Sequence, residues 1–394
     1  MRKILILGGS YFQIPAIKYA KSHGYYVITC DYLPDNPGHR LSDEYHNVST
    51  TDKEAVLVLA RSLNVDGILC FASDPAAPTA AYVSEKMGLP GNSYENVCTL
   101  GEKHLWRQFL KKNGFNVPKA KSYKSIEDVD LSDWEYPVMV KPIDSSGSKG
   151  VTKVCCSEDI VSAFKYALSY SRAKMVIIED FVEKVGSQIG GDGFYGTDRL
   201  DFVCYGEQVV DSSVNPYVPC GMKFPANISR EMADKISKEI ERAISLSGLK
   251  NLSFNLEVMI DKTGKIFLME IGPRNGGNCI PEVIQQYTGV DMVALAVEAA
   301  MGNEISICRH ENQSFYAYYA LHSVKKGIYQ GYEISADFNG SIIASYIFIK
   351  QGDEIGAFNG SNQTIGILIM KFSNRRDIDD FFESSMAYIK VLVV

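Results

Sequence analysis

The sequence has no apolar run approaching the ~18 residues that a membrane-spanning helix needs. Its opening, MRKILILGGS, sets an apolar run of only four residues, Ile4 to Leu7, behind a basic start. That run is shorter than the roughly 7–15-residue core of a secretion signal and reads as the first strand of an α/β unit. None of the nine cysteines stands in a C-x-x-C pair, and Cys155 and Cys156 are adjacent. A metal-binding knuckle or a disulfide framework is not expected, and reduced thiols in a cytoplasmic protein are. Positive charge is also lacking. A net charge of −7 argues against partners bound by phosphate neutralisation along nucleic acid, but leaves room for a local basic pocket.

Two nucleotide signatures are missing as well. VMVKPIDSSGSKGV (138–151) resembles a phosphate loop, but has no Gly-Lys-[Ser/Thr] end. GGSYFQIP (8–15) follows a strand, but lacks G-x-G-x-x-G, so the first unit is not expected to bind a dinucleotide, even with Asp31 ending the second strand. No Ser-His or Cys-His pattern suggests a covalent nucleophile.

What is present is an ordered alternation. Strands at 3–7, 25–31 and 66–72 alternate with helices at 13–23, 52–63 and 75–87, as in a parallel sheet covered on both faces. Ligands of such sheets sit beyond the carboxyl ends of the strands, which puts Gly8, Gly9, Asp31, Ser73 and Asp74 on one edge. An amphipathic helix over 101–113 presents Leu105, Trp106, Phe109 and Leu110 on one face. From about residue 134 the pattern becomes α+β with antiparallel pairs: strands at 138–141, 151–156 and 174–182, and a helix over 157–171. A helix over 229–247 has Ser229 as its N-cap and Gly248 as its stop. Strands at 252–261 and 265–271, a helix over 281–301, a strand-rich tail from about 315 and a last helix over 376–385 complete the chain.

Three stretches could carry chemistry. In 252–261 the alternation places Asn255 and Glu257 on the face opposite Phe254, Leu256 and Val258. A two-residue turn at Lys262-Thr263 makes Glu257 and Glu270 diagonal neighbours. Such a pair is either a solvated hairpin face or a site for Mg2+. EIGPRNGGN (270–278) then supplies Arg274 and Asn275, suited to an anionic intermediate. In MVIIEDFV (175–182), a strand ending at an exposed backbone edge could read a base through one C=O and one N–H, or simply run into a loop. In 138–151, Lys141 ends a strand and DSSGSKG offers backbone donors for an anion; a mobile hairpin tip reads equally well.

Lys103, VKPIDSSGSKGV, IIEDFV, FNLEV and MEIGPRNGG, in that order, resemble the ATP-grasp superfamily of ligases over nearly the whole chain. The resemblance implies a parallel-sheet pre-ATP-grasp (Rossmann-like) domain at 1–98. An ATP-grasp domain with antiparallel sheets would follow at 99–310, its lid at about 120–182, and a strand-rich segment at 311–394 would complete the body. It implies ATP, with Mg2+ or Mn2+, and an acyl-phosphate formed from a carboxylate and joined to an amine. Lys103 and Lys141 match the phosphate-contacting lysines. Ser145, Ser146, Gly147, Ser148, Lys149 and Gly150 match the flap, and Glu179, Asp180, Phe181 and Val182 the adenine linker. Glu257 and Glu270 match the metal ligands and Arg274 the residue that steadies the acyl-phosphate. Gly272 stands where the family often has Asn, so metal coordination is expected either to use one side chain fewer or to recruit Asn255 or Asn275, and Gln188 is the nearest candidate for a ribose contact. The partners implied are small-molecule carboxylates and amines, without nucleic acid or membrane, and related chains with this tail often pair as homodimers. The same resemblance leaves open a bicarbonate-phosphorylating enzyme or an ATP-binding protein without ligase turnover.

Overall fold

The computed structural model describes residues 1–211, 214, 216–310 and 312–394. The first sheet is parallel throughout, in the spatial order Glu44–His46, Tyr26–Cys30, Lys3–Leu7, Gly67–Cys70. Alternation along Lys3–Leu7 sends Ile4 and Ile6 to one face, against Ala16, Ile17 and Val297. Leu5 and Leu7 go to the other, against Val56, Leu57 and Val83. These four side chains are fully buried, each contributing about 1.5–3 kcal/mol by burial. Val297 belongs to the helix Met292–Ala300, so a helix from late in the chain covers one face of the first sheet.

A second, antiparallel sheet runs Ala120–Tyr123, Val176–Asp180, Val138–Pro142, Thr152–Val154, with the helix Ile160–Tyr170 packed on it. The third is an eight-stranded antiparallel sheet in which Ile266–Gly272 is one edge and Leu252–Ile260 its neighbour. The helix Arg230–Ser247 starts as expected: the Ser229 hydroxyl accepts the Met232 N–H at 3.1 Å, and Gly248 ends the helix in the left-handed region. Its Ile236, Ile240 and Ile244 bury against the large sheet.

Two expectations need correction. The helix expected over 281–301 is two helices, Ile280–Thr288 and Met292–Ala300. Gly289 takes φ 75°, and the Asp291 side chain caps the second helix by accepting the Ala294 N–H at 2.9 Å. Three strands of the large sheet were not foreseen: Ile189–Tyr195, Leu200–Val210 and Pro219–Phe224. Among the described residues no helix is long and apolar enough to cross a membrane.

Candidate active site

The cleft between the second sheet and the edge of the large one measures about 480 Å³, within the usual range for small-molecule sites. Its walls include Lys103, Lys141, Ser145 to Ser148, Glu179 to Val182, Gln188, Glu257, Glu270, Asp74 and Arg274. Met139, Val151, Met259 and Met269 supply the apolar part of the wall.

A β-bulge sets the carboxylate pair. From the turn, Ile260 faces Ile266 and Val258 faces Leu268; then one residue is inserted, and Glu257 faces Glu270. The extra residue is Met269. Without the bulge Glu257 would face Met269, and Glu270 would point to the opposite side of the sheet. The expected diagonal register is therefore corrected to a direct pair. The Met269 carbonyl is held by the Arg107 guanidinium at 2.7 Å, and the Leu268 carbonyl by the Trp106 indole N–H at 3.0 Å. One turn of the helix Lys103–Lys112 thus fixes the bulge.

Glu257 accepts from the side-chain amides of Gln188 at 2.8 Å and Gln208 at 3.0 Å. Burial, then the facing Glu270, raises the pKa of Glu257. Lys103 Nζ lies 3.4 Å from Glu270 and donates to the Ser145 carbonyl at 3.0 Å, tying the flap to the carboxylate pair. Burial disfavours the Lys103 ammonium, but Glu270, Asp74 and Glu257 outweigh it and raise its pKa.

The expected linker differs in detail. The strand Val176–Asp180 is interior to its sheet, paired on both sides, so it presents no free edge. The Asp180 and Phe181 N–H groups donate to the Lys119 and Pro137 carbonyls, leaving Val182 as the first residue past the ladder. Glu179 does not face the cleft as a free acceptor: it is buried, with Arg107 Nε 3.0 Å away and Lys141 bonded to its other oxygen. Burial opposes its charge, but these two cations hold its pKa down at about 2. Gln188 stands in the cleft wall with its side-chain N–H donated to Glu257. Lys149 and Gly150 lie off the cleft wall. A side chain at Gly150 would press on Pro142 and Tyr170, and Lys149 runs beside Gly360.

Asn275 does not join the carboxylate pair. It is buried on the far side of Arg274, donating to Asp192 at 3.2 Å. The Asn255 amide donates to the same carboxylate at 2.9 Å. At Gly272, opposite Asn255, a Cβ would sit 3.3 Å from both the Arg274 guanidinium carbon and Asp74 Oδ1. The Arg274–Asp74 ion pair occupies the space an Asn side chain would need.

Sequence reasoning missed Arg107, Gln208 and Asp192. Asp192 is fully buried and also accepts the Gly276 N–H, at 2.8 Å to one oxygen, so it anchors the turn that carries Arg274. Burial raises its pKa from 3.8 to about 6, although Asn255, Gly276, Arg274 and Asn275 pull the other way. A carboxylate raised in the folded state stabilises the fold below its unfolded pKa and loses that contribution as pH rises through about 6. Between pH 4 and 7 the wild type should therefore lose up to about 3 kcal/mol relative to Asp192→Asn. Chemical denaturation at a series of pH values measures this, and parallel profiles for the two proteins would contradict it.

The site thus sets a Ser/Gly-rich loop and Lys141 of one β-layer, with Lys103 from the start of a helix, against a carboxylate pair on another layer. Residues 134–282, less than half of the chain, match the family model of the ATP-grasp domain. Over 241 residues it is 24% identical to the carbamoyl phosphate synthase large chain of Thermoanaerobacter sp. (strain X514), covering 58% of this chain and 21% of that one. The chain thus spans about a fifth of that relative's length. Two solved structures share the fold over its whole length. L-amino acid ligase from Bacillus licheniformis has a TM-score of 0.82 and 17% identity, covering 100% of this chain and 99% of that one. Phosphoribosylglycinamide synthetase from Anaerococcus prevotii has 0.78 and 22%, covering 100% of both.

Proposed function

We propose that the chain is an ATP-dependent carboxylate–amine ligase. The observation that carries this reading is the Glu257/Glu270 pair, directly opposed in a cleft that also holds Lys103, Lys141 and Arg274. Two close carboxylates, one already pushed toward protonation by burial and by its neighbour, fit a divalent cation. Among the described residues no third His, Cys, Asp or Glu completes a cluster, which suits Mg2+, since that ion takes one or two carboxylates and fills its shell with phosphate oxygens and water. When bound, the ion supplies positive charge against the phosphates as the terminal one is transferred.

The chain's own residues do the remainder. Lys103 and Lys141 balance phosphate charge, and the backbone donors of residues 145–148 fold over it. Lys141 reaches the cleft already oriented by Glu179. The apolar wall of Met139, Val151, Met259 and Met269 suits the faces of a planar base. A substrate carboxylate beside Arg274 attacks the terminal phosphorus and ADP leaves, forming an acyl-phosphate. An amine then attacks the acyl carbon, loses a proton and expels phosphate. The closed flap keeps water from the acyl-phosphate. The fold-sharing ligase and synthetase support this class of reaction without identifying the acid or the amine.

The test is an ADP-release screen of amino acids, other carboxylates and bicarbonate, each with and without an amine, with mass detection of the product. Amide formation with stoichiometric ADP is the expected result. ADP release with bicarbonate alone would move the reading to a carboxyphosphate-forming enzyme, and ATP binding without any ADP would end the ligase assignment.

A further inference from the structure

A second cavity, of about 360 Å³, lies behind Arg274, between the helices Ala77–Met87 and Met292–Ala300 and the start of the strand Leu252–Ile260. Three of its lining residues are more than nine-tenths buried, and each carries a polar side-chain atom without a partner: Ser253 Oγ, Arg274 Nε and Asn275 Oδ1. Leaving such an atom unsatisfied is costly, and three around one cavity point to a missing occupant. The two cavities are neighbours along one strand face. Glu257 and Asn255 line the cleft, Ser253 is next on that face and lines the second cavity, and Arg274 borders both.

We infer that this cavity binds a small neutral primary carboxamide with a short aliphatic body. Arg274 Nε–H is only a donor, Asn275 Oδ1 only an acceptor, and Ser253 Oγ can be either. A ligand that satisfies all three must accept and donate at adjacent atoms, as a carboxamide does through its C=O and NH2. Neutrality follows from the surroundings. Asp74 already pairs with Arg274, and Lys250, the other cation of the lining, is exposed to solvent, so a carboxylate would be desolvated without an uncompensated buried cation, and an ammonium would face the guanidinium. The body would pack on alanines of both helices, Ala77, Ala80 and Ala81 from one and Ala296, Ala299 and Ala300 from the other, which leave the space open. This inference does not depend on the ligase chemistry.

The probe is isobutyramide, titrated into the full chain and followed by ligand-observed NMR, with isobutyrate and isobutylammonium as charged controls. Saturable binding of the amide alone is expected, unaffected by excess ADP. Ser253→Ala should weaken it about 3- to 10-fold, and Ala299→Leu, which fills the cavity, should abolish it. Ala80→Leu, from the opposite helix, tests the same filling should Ala299→Leu fail to fold. No saturable binding, displacement by ADP, affinity unchanged in the Ser253 and filled variants, or a soaked crystal with only water in the cavity would each overturn the inference.

Discussion

Glu270→Ala is expected to lower ADP formation by on the order of 10³-fold while leaving the fold intact. The two halves of that result have different causes. Activity should fall because only Glu257 remains of the carboxylate pair that would hold the divalent cation beside the phosphates. Stability should not fall, because Glu270 faces a buried carboxylate whose pKa is raised partly by Glu270 itself. Removing one of two opposed like charges relieves repulsion, and Lys103 keeps Asp74 and Glu257 as nearby anions. Steady-state ADP release and thermal unfolding on the same preparation separate the two effects. Near-normal turnover in the variant would remove Glu270 from the metal site; a large drop in melting temperature would mean that the carboxylate is structural.

Much of this site was legible because its signals are local. A strand that alternates Leu-Ser-Phe-Asn-Leu-Glu states which face Glu257 takes, and Ser229 and Gly248 mark the ends of a helix by the chemistry of capping. What was not legible depends on contacts between distant segments. The bulge at Met269 has no turn residue to announce it, and its carbonyl is held by Arg107 from a helix 162 positions earlier. The strand Ile189–Tyr195 reads IGGDGFY, and glycine argues against strand by propensity. Its glycines are forced by neighbours. A Cβ on Gly191 would come 2.0 Å from the Cys204 carbonyl oxygen, and one on Gly193 would come 2.3 Å from the Phe254 ring. Asp192 was hidden in that run. Arg107 lies outside the apolar set Leu105, Trp106, Phe109 and Leu110 of its helix, yet it is buried, and its bonds to Glu179 and Met269 explain why.

Arg107→Met is accordingly expected to be among the most damaging substitutions in the chain for stability. It leaves Glu179 buried with Lys141 as its sole cationic partner and frees the Met269 carbonyl. Breaking a buried pair from one side costs about 3–5 kcal/mol, or about 4–6 °C in melting temperature for a chain of this length. The acid limb should shift too. The depressed pKa of Glu179, about 2, contributes stability above its ordinary 4.5 that is lost as pH falls through 2. With Arg107 gone that pKa rises, so acid unfolding of the variant should begin at a higher pH than in the wild type. Arg107→Met/Glu179→Leu removes both charges and should recover much of the loss, because the larger part of the single-variant cost is the stranded carboxylate rather than the value of the pair. Lys141 loses its partner in the double variant but stands at the cleft wall, where water can reach it. ADP formation should stay low in the double variant even as stability returns, since neither of the two introduced apolar side chains can hold the Met269 carbonyl or orient Lys141. A single variant within about 0.5 kcal/mol of wild type, or a double variant restored in both stability and turnover, would refute the role given to Arg107 as the tie between the carboxylate pair and the lid.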